Sequence, residues 1–168
     1  MSLMLRAFCP TDELTALAAW AEFQGSGFDF LPFDYETSIP WTEWLVQMER
    51  YREGINLPAY RVRSAFLAAD VEGELVGSVS IRFALNDFLA TRGGHIGYGV
   101  IPRFRRRGYA TEILRQAIEI AHAEGVRPLL LTCDDDNVAS ATVIERCGGV
   151  LEAIMTDDDG VAFRRYWI

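Results

Sequence analysis

The amino-acid sequence predicts one mixed α/β domain with an antiparallel front half, and three observations carry that reading. The run "RVRSAFLAADVEGELVGSVSIRFAL" holds two apolar segments meeting at Glu72-Gly73, a hairpin signal. Ala110, Ile113, Leu114, Ala117, Ile118 and Ala121 recur at helical spacing. "RPLLLTC" is short and continuously apolar near its middle, as a buried central strand is.

In chain order, "LMLRAF" (3–8) reads as a first strand. "PTDELTALAAWAEF" offers Thr11 or Asp12 as a cap, then Leu14, Leu17, Ala18 and Ala21 as the stripe of a helix. "QGSGFDFLPFDYETSIPW" has no period and reads as an aromatic-rich loop, followed by a helix from about Trp41 to about Arg52. After the hairpin, "TRGGHIGYGVI" (91–101) is a third strand with glycines inside. A helix opens near Arg107 and ends at Gly125, and the "RPLLLTC" strand comes next. "NVASATVIERCGG" is a helix with Asn137 near its start and Gly148-Gly149 after its end. Two closing strands, about Val150 to Met155 and Val161 to Trp167, flank the turn "TDDDG". No repeat or linker divides the chain, so residues 1–168 are expected to form a single domain.

Composition narrows the function. The chain carries 24 acidic and 16 basic residues for a formal charge of −8, which argues against a nucleic-acid binder. No apolar run approaches the ~20 residues that span a bilayer, and acids and a proline come too early for a signal peptide. Three cysteines at positions 9, 133 and 147 match no zinc spacing, so a reduced, cytoplasmic setting and no metal are expected. Every basic side chain is arginine; with no lysine, Schiff-base chemistry and a P-loop lysine are excluded.

Against that acidic background, "PRFRRRGYATEIL" packs Arg103, Arg105, Arg106 and Arg107 at the mouth of a helix. Cations there oppose the helix dipole by ~0.3–1 kcal/mol each unless something compensates them. A strand, a tight connection and a helix start aim unpaired N–H groups at one point, which makes an anion site. Gly108 and the small Ala110 leave room for a bulky anion such as a pyrophosphate.

These residues resemble the GNAT superfamily of acyl-CoA N-acyltransferases. Its Arg/Gln-x-x-Gly-x-Gly/Ala core is matched by Arg105, Gly108 and Ala110, preceded by Val100 and Pro102. "NVASATVIERCGG" resembles that family's Asn-x-x-Ala/Ser helix ending in Glu-Lys/Arg-x-Gly, and the element order fits the whole chain. The combination of "HIGY", "RGYATE", "ERCGG" and "RYWI" is similar to a bacterial branch of acetyltransferases. The resemblance implies a central mixed, mostly antiparallel sheet of six to seven strands flanked by about four helices. It implies acetyl-CoA as cosubstrate, held through Val100, Ile101, Arg105, Arg106, Arg107, Gly108, Tyr109, Ala110, Thr111, Asn137 and Ser140. The pantetheine arm would run beside Val100, where the strands carrying Tyr98 and Leu131 splay apart.

Acetyl transfer to an amine needs a neutral amine, polarisation of the thioester and a proton for the thiolate. His95 stands about where many relatives carry a base, and a pKa of ~6.5 suits neutral pH; the alternative is a histidine that caps the strand. Relatives place a donor tyrosine seven residues after the asparagine, but Ile144 stands here. Ser140 is the favoured substitute, with Tyr98, Cys133 or a water as the others. In "CDDDN", Asp134, Asp135 and Asp136 read as capping and turn residues, although Asp134 can also face the acceptor.

The resemblance places the acceptor on the aromatic loop, where Phe28, Asp29, Phe33 and Asp34 offer rings and carboxylates to a cationic amine. The expected function is acetyl transfer by direct attack of a primary amine of a small molecule or peptide N-terminus, without nucleic acid or membrane, as a monomer or homodimer. The other reading is an acyl-CoA sensor without turnover.

Overall fold

Glu72 and Gly73 both adopt left-handed φ, at 55° and 88°, and this closes the hairpin of Ser64–Val71 (β2) and Glu74–Arg82 (β3). The computed structural model describes residues 2–31 and 35–168. Leu3–Ala7 (β1) pairs antiparallel with β2, and Ile96–Val100 (β4) pairs antiparallel with β3. The result is a four-stranded sheet in the order β1-β2-β3-β4. Leu130–Asp134 (β5), Val150–Thr156 (β6) and Ala162–Trp167 (β7) form a second antiparallel sheet in the order β5-β7-β6.

Helices Glu13–Phe23 (α1) and Trp41–Glu53 (α2) follow β1; Tyr109–Ala123 (α3) and Val138–Arg146 (α4) flank β5 in sequence. α3 buries Ile113, Leu114, Ala117, Ile118 and Ala121, five of the six positions its periodicity selects. On α1 the expected stripe fails. Leu14 is 83% exposed, while Ala16, Ala19 and Phe23 face the core. That helix is apolar on almost every side, so its period specifies no face. Arg6 ties the turn before α1 to the sheet, bonding Asp12 at 2.7 Å and Asp70 at 2.8 Å.

The run 91–101 is not one strand. Residues 89–93 form a helical turn, Gly94 takes a φ of 66°, and extended structure begins only at Ile96. A Cβ at Gly94 would stand 2.6 Å from the Leu130 carbonyl oxygen, so the chain turns there against the first residue of β5. β6 is an edge strand with Val150, Leu151 and Ile154 exposed.

Candidate active site

His95 is the clasp between the two sheets. Its backbone N–H donates to the Leu130 carbonyl at 2.7 Å, and its Nδ1 accepts the Leu130 N–H at 2.8 Å. Beyond this clasp β4 and β5 separate, and no ladder joins them. Ile101 donates to Val76, so alternation turns the N–H and C=O groups of Tyr98 and Val100 away from β3, into the gap. The Val100 carbonyl accordingly accepts from Arg105 Nε at 3.1 Å.

The gap widens into a cavity of about 280 Å³. Gly97 and Tyr98 border it from β4, Thr132 and Cys133 from β5, Asn137 and Ser140 from α4, and Gly27 and Phe28 from the loop after α1. Tyr98 and Ser140 meet there, hydroxyl to hydroxyl, at 3.2 Å. Burial pushes the Tyr98 phenol well above its ordinary range and raises the Cys133 thiol. Both groups therefore stay protonated at neutral pH. Asn137 caps α4 by accepting the Ser140 N–H at 3.1 Å, which leaves its amide N–H groups to donate elsewhere.

Beside the mouth of the gap lies the start of α3. Its first ladder bond runs from the Glu112 N–H to the Gly108 carbonyl, so the N–H groups of Tyr109, Ala110 and Thr111 precede the helix ladder. Arg106 and Gly108 are both left-handed, with φ of 63° and 83°, and they curl the turn around Arg107. A Cβ at Gly108 would meet nothing within 4 Å, so backbone conformation demands this glycine and its outer side is clear for a ligand. The turn fits a diphosphate: convergent N–H donors, a helix N-terminus, and exposed Arg106 and Arg107 without a carboxylate partner among the described residues. Arg103 is different, since it pairs with Glu22 at 2.8 Å.

Three expected roles change. Ile101 is fully buried; its N–H bonds Val76 and its carbonyl accepts from Phe104, so it has no backbone group left for a cofactor. His95 is neutral with its one free lone pair already bonded to Leu130, so to take a proton it must break the clasp. Burial is the first cause of its lowered pKa, and the Arg82 guanidinium adds to it. Asp134 borders the cavity, but Arg92 holds its carboxylate at 2.7 Å and also pairs with Asp157. Phe28 and Asp29 line a second hollow of about 340 Å³ with Trp20 and Tyr35, where Asp29 accepts from Trp20 at 3.3 Å. Phe33 and Asp34 lie outside the described residues.

One neighbour of the cavity wall was not singled out by the sequence. Arg82 lays its guanidinium over Gly97, 3.4 Å from the position a Cβ would take. The only available signal was the alternation of glycine with larger residues in "GYGV", which empties one face of β4.

The fold recurs among solved acetyltransferases. RimL, the ribosomal L7/L12 α-N-protein acetyltransferase in complex with coenzyme A, is 17% identical with a TM-score of 0.68, over 100% of this chain and 94% of its own. RimJ of Mycobacterium smegmatis, in complex with a CoA disulfide, is 17% identical with a TM-score of 0.71, over 99% and 81%. An acetyltransferase from Salmonella typhimurium that modifies the N-terminal serine of L7/L12 is 17% identical with a TM-score of 0.69, over 100% and 95%. At such identities the likeness is one of fold. The model of the acetyltransferase (GNAT) family, however, matches residues 16–149, most of the sequence. With the split sheet and the open helix start already in view, that match makes the chain a member of the GNAT acetyltransferase family, an acetyl-CoA-dependent acyltransferase.

Proposed function

We propose that this acetyltransferase acts on a primary amine, of a small molecule or a protein N-terminus, which attacks the thioester directly. The observation that carries the reading is the cavity between β4 and β5, open beside a helix start with unspent N–H groups. When bound, acetyl-CoA supplies an activated acetyl group. The turn from Arg105 to Thr111 would hold the diphosphate, and the edge of β4 at Tyr98 and Val100 would align the arm. Asn137 would donate to it from the start of α4. For an arm to reach the Val100 carbonyl, Arg105 must release that group and take up phosphate instead.

The N–H groups of Tyr98 and Val100 are the available donors for a developing oxyanion. The Tyr98–Ser140 pair keeps a proton at the cavity wall and suits protonation of a thiolate, the role that Ile144 cannot take. Among the described residues no unpaired carboxylate borders the cavity, so the amine's proton leaves through water. RimL and the Salmonella enzyme act on a ribosomal protein N-terminus, which supports including such acceptors. The apolar edge of β6 would suit a homodimer.

Two measurements test this. Coenzyme A should raise the melting temperature by mass action, and free thiol should appear only when acetyl-CoA and an acceptor amine are both present. A shift without amine-dependent thiol release across small amines and Ser- or Ala-initiated peptides would leave a binding module instead of an N-acetyltransferase.

A further inference from the structure

The face of β4 opposite Tyr98 is paved with glycine, and two groups from elsewhere lie on it. The Phe28 ring covers Gly99, where a Cβ would meet it at 2.4 Å, and the Arg82 guanidinium covers Gly97. Both Gly97 and Phe28 border the cavity. Arg82 Nη1 donates to the carbonyls of Gly93 at 3.2 Å and Gly94 at 3.4 Å. Its other nitrogens have no hydrogen-bond partner, and no carboxylate pairs with it, among the described residues. Burial, with Arg61 nearby, lowers its pKa to about 10.

The surroundings add donors without adding negative charge. Ser64 stands across from Arg82 in β2, and Ser80 across from Gly97 in β4. Both hydroxyls are buried without a partner among the described residues. A partly buried guanidinium with only two carbonyls to compensate it is incompletely solvated and open to a further acceptor. Arg92, which borders the cavity itself, is already neutralised by Asp134 and Asp157, whereas Arg82 meets the cavity wall at Gly97. Arg82 alone of the two therefore keeps positive charge to offer. The missing side chain at Gly97, a residue that borders the cavity, is what lets the guanidinium lie there.

We propose that Arg82 is a specificity residue of the acceptor site, and that the amine this enzyme acetylates carries a carboxylate which docks on the guanidinium beside Gly97. The inference rests on reading the cavity as an acceptor site. A carboxylate fits better than a lone neutral acceptor because the planar fork can donate to both of its oxygens. Gly97 adjoins Tyr98, whose backbone N–H faces the gap, so the anion site and the reacting end belong to neighbouring residues of one strand.

The experiment compares glycine, β-alanine and γ-aminobutyrate with their amides as acceptors. The amides are the weaker bases and are less protonated at neutral pH, which works against the preference expected. In wild-type protein the acid should exceed its amide by about tenfold in kcat/KM at the chain length that spans the site. Arg82→Gln should bring that ratio near one through KM, with kcat for the amide within about threefold, while Arg82→Lys keeps part of the preference. A retained shift of melting temperature with coenzyme A shows that each variant is folded. No preference in wild type, or the same preference in Arg82→Gln, overturns the proposal.

Turnover is not required to read the site. With the protein saturated by coenzyme A, the same acids and amides are compared by thermal shift. Stabilisation by the acid alone, absent in Arg82→Gln, supports the anion site even if no acceptor is acetylated, in which case N-acetyl transfer is the reading that fails. No acid-specific stabilisation and no acid-specific turnover together reject the site.

Discussion

The two edges of β4 behave in opposite ways. Towards β3 the ladder is continuous from Ile96 to Val100 and closed further by Ile101 donating to Val76. Towards β5 one residue, His95, makes the join, and the strands then part around a cavity. A strand with one sealed edge and one open edge is rigid enough to position a ligand and still has backbone groups to offer it. The closed seam supplies stability, and the open seam leaves backbone groups unspent.

Substitutions at the closed seam should have the largest effect. A valine at Gly77 places Cβ 2.5 Å from the Gly99 carbonyl oxygen and 3.1 Å from Ile113, with no flexible partner to yield. Gly77→Val should lose about 3 kcal/mol in urea unfolding. A smaller loss would mean that β3 and β4 can shift, and the contrast between the seams would weaken.

At the clasp, His95→Ala leaves the buried Leu130 N–H without an acceptor, for about 1–3 kcal/mol. His95→Gln restores an acceptor and should recover much of it, with kcat/KM within about threefold of wild type. If His95→Gln is fully folded but inactive, the histidine is a base after all. At the open side, Gly108→Val forces a side chain into a φ of 83° for about 1–2 kcal/mol. It should also abolish the melting shift given by coenzyme A. A retained shift would remove the turn from the cofactor site. Ser140→Ala should lower kcat about tenfold, or 1.4 kcal/mol at the barrier, without altering that shift.

The smallest effect is a pH dependence. His95 is held neutral, with a folded pKa below its unfolded value of 6.5. Between those two values the unfolded chain binds more protons, so stability rises with pH through that window. The neutral clasp contributes fully above pH 6.5 and loses its contribution as pH falls towards the folded pKa. His95→Gln should flatten this slope, and an unchanged slope would place the titration elsewhere.

The turn that opens α3 was legible in the sequence. Around Arg105, Gly108 and Ala110 a strand end, a left-handed glycine and a helix start are neighbours in sequence, so their spacing reports their geometry. The amphipathic period of α3 was readable for the same reason. The glycine face of β4 was not. Phe28 and Arg82 reach Gly99 and Gly97 from different elements, and no local pattern tells that they converge. Ile101 went wrong because a one-residue step along β4 swaps a group facing the gap for one facing β3. His95 was identified as special, but its partner at Leu130 is 35 residues away, and only that partner makes it a clasp.

By itself the sequence determined the mixed α/β class, the hairpin at Glu72-Gly73, the phase of α3 and the glycine turn that opens it. All four depend on short-range backbone preference and periodicity. Tertiary structure alone decided which face α1 buries, which edge of β4 stays open, and what lies on its glycines. Those outcomes follow from packing between distant elements, where the free energy belongs to pairs of surfaces that no single segment encodes.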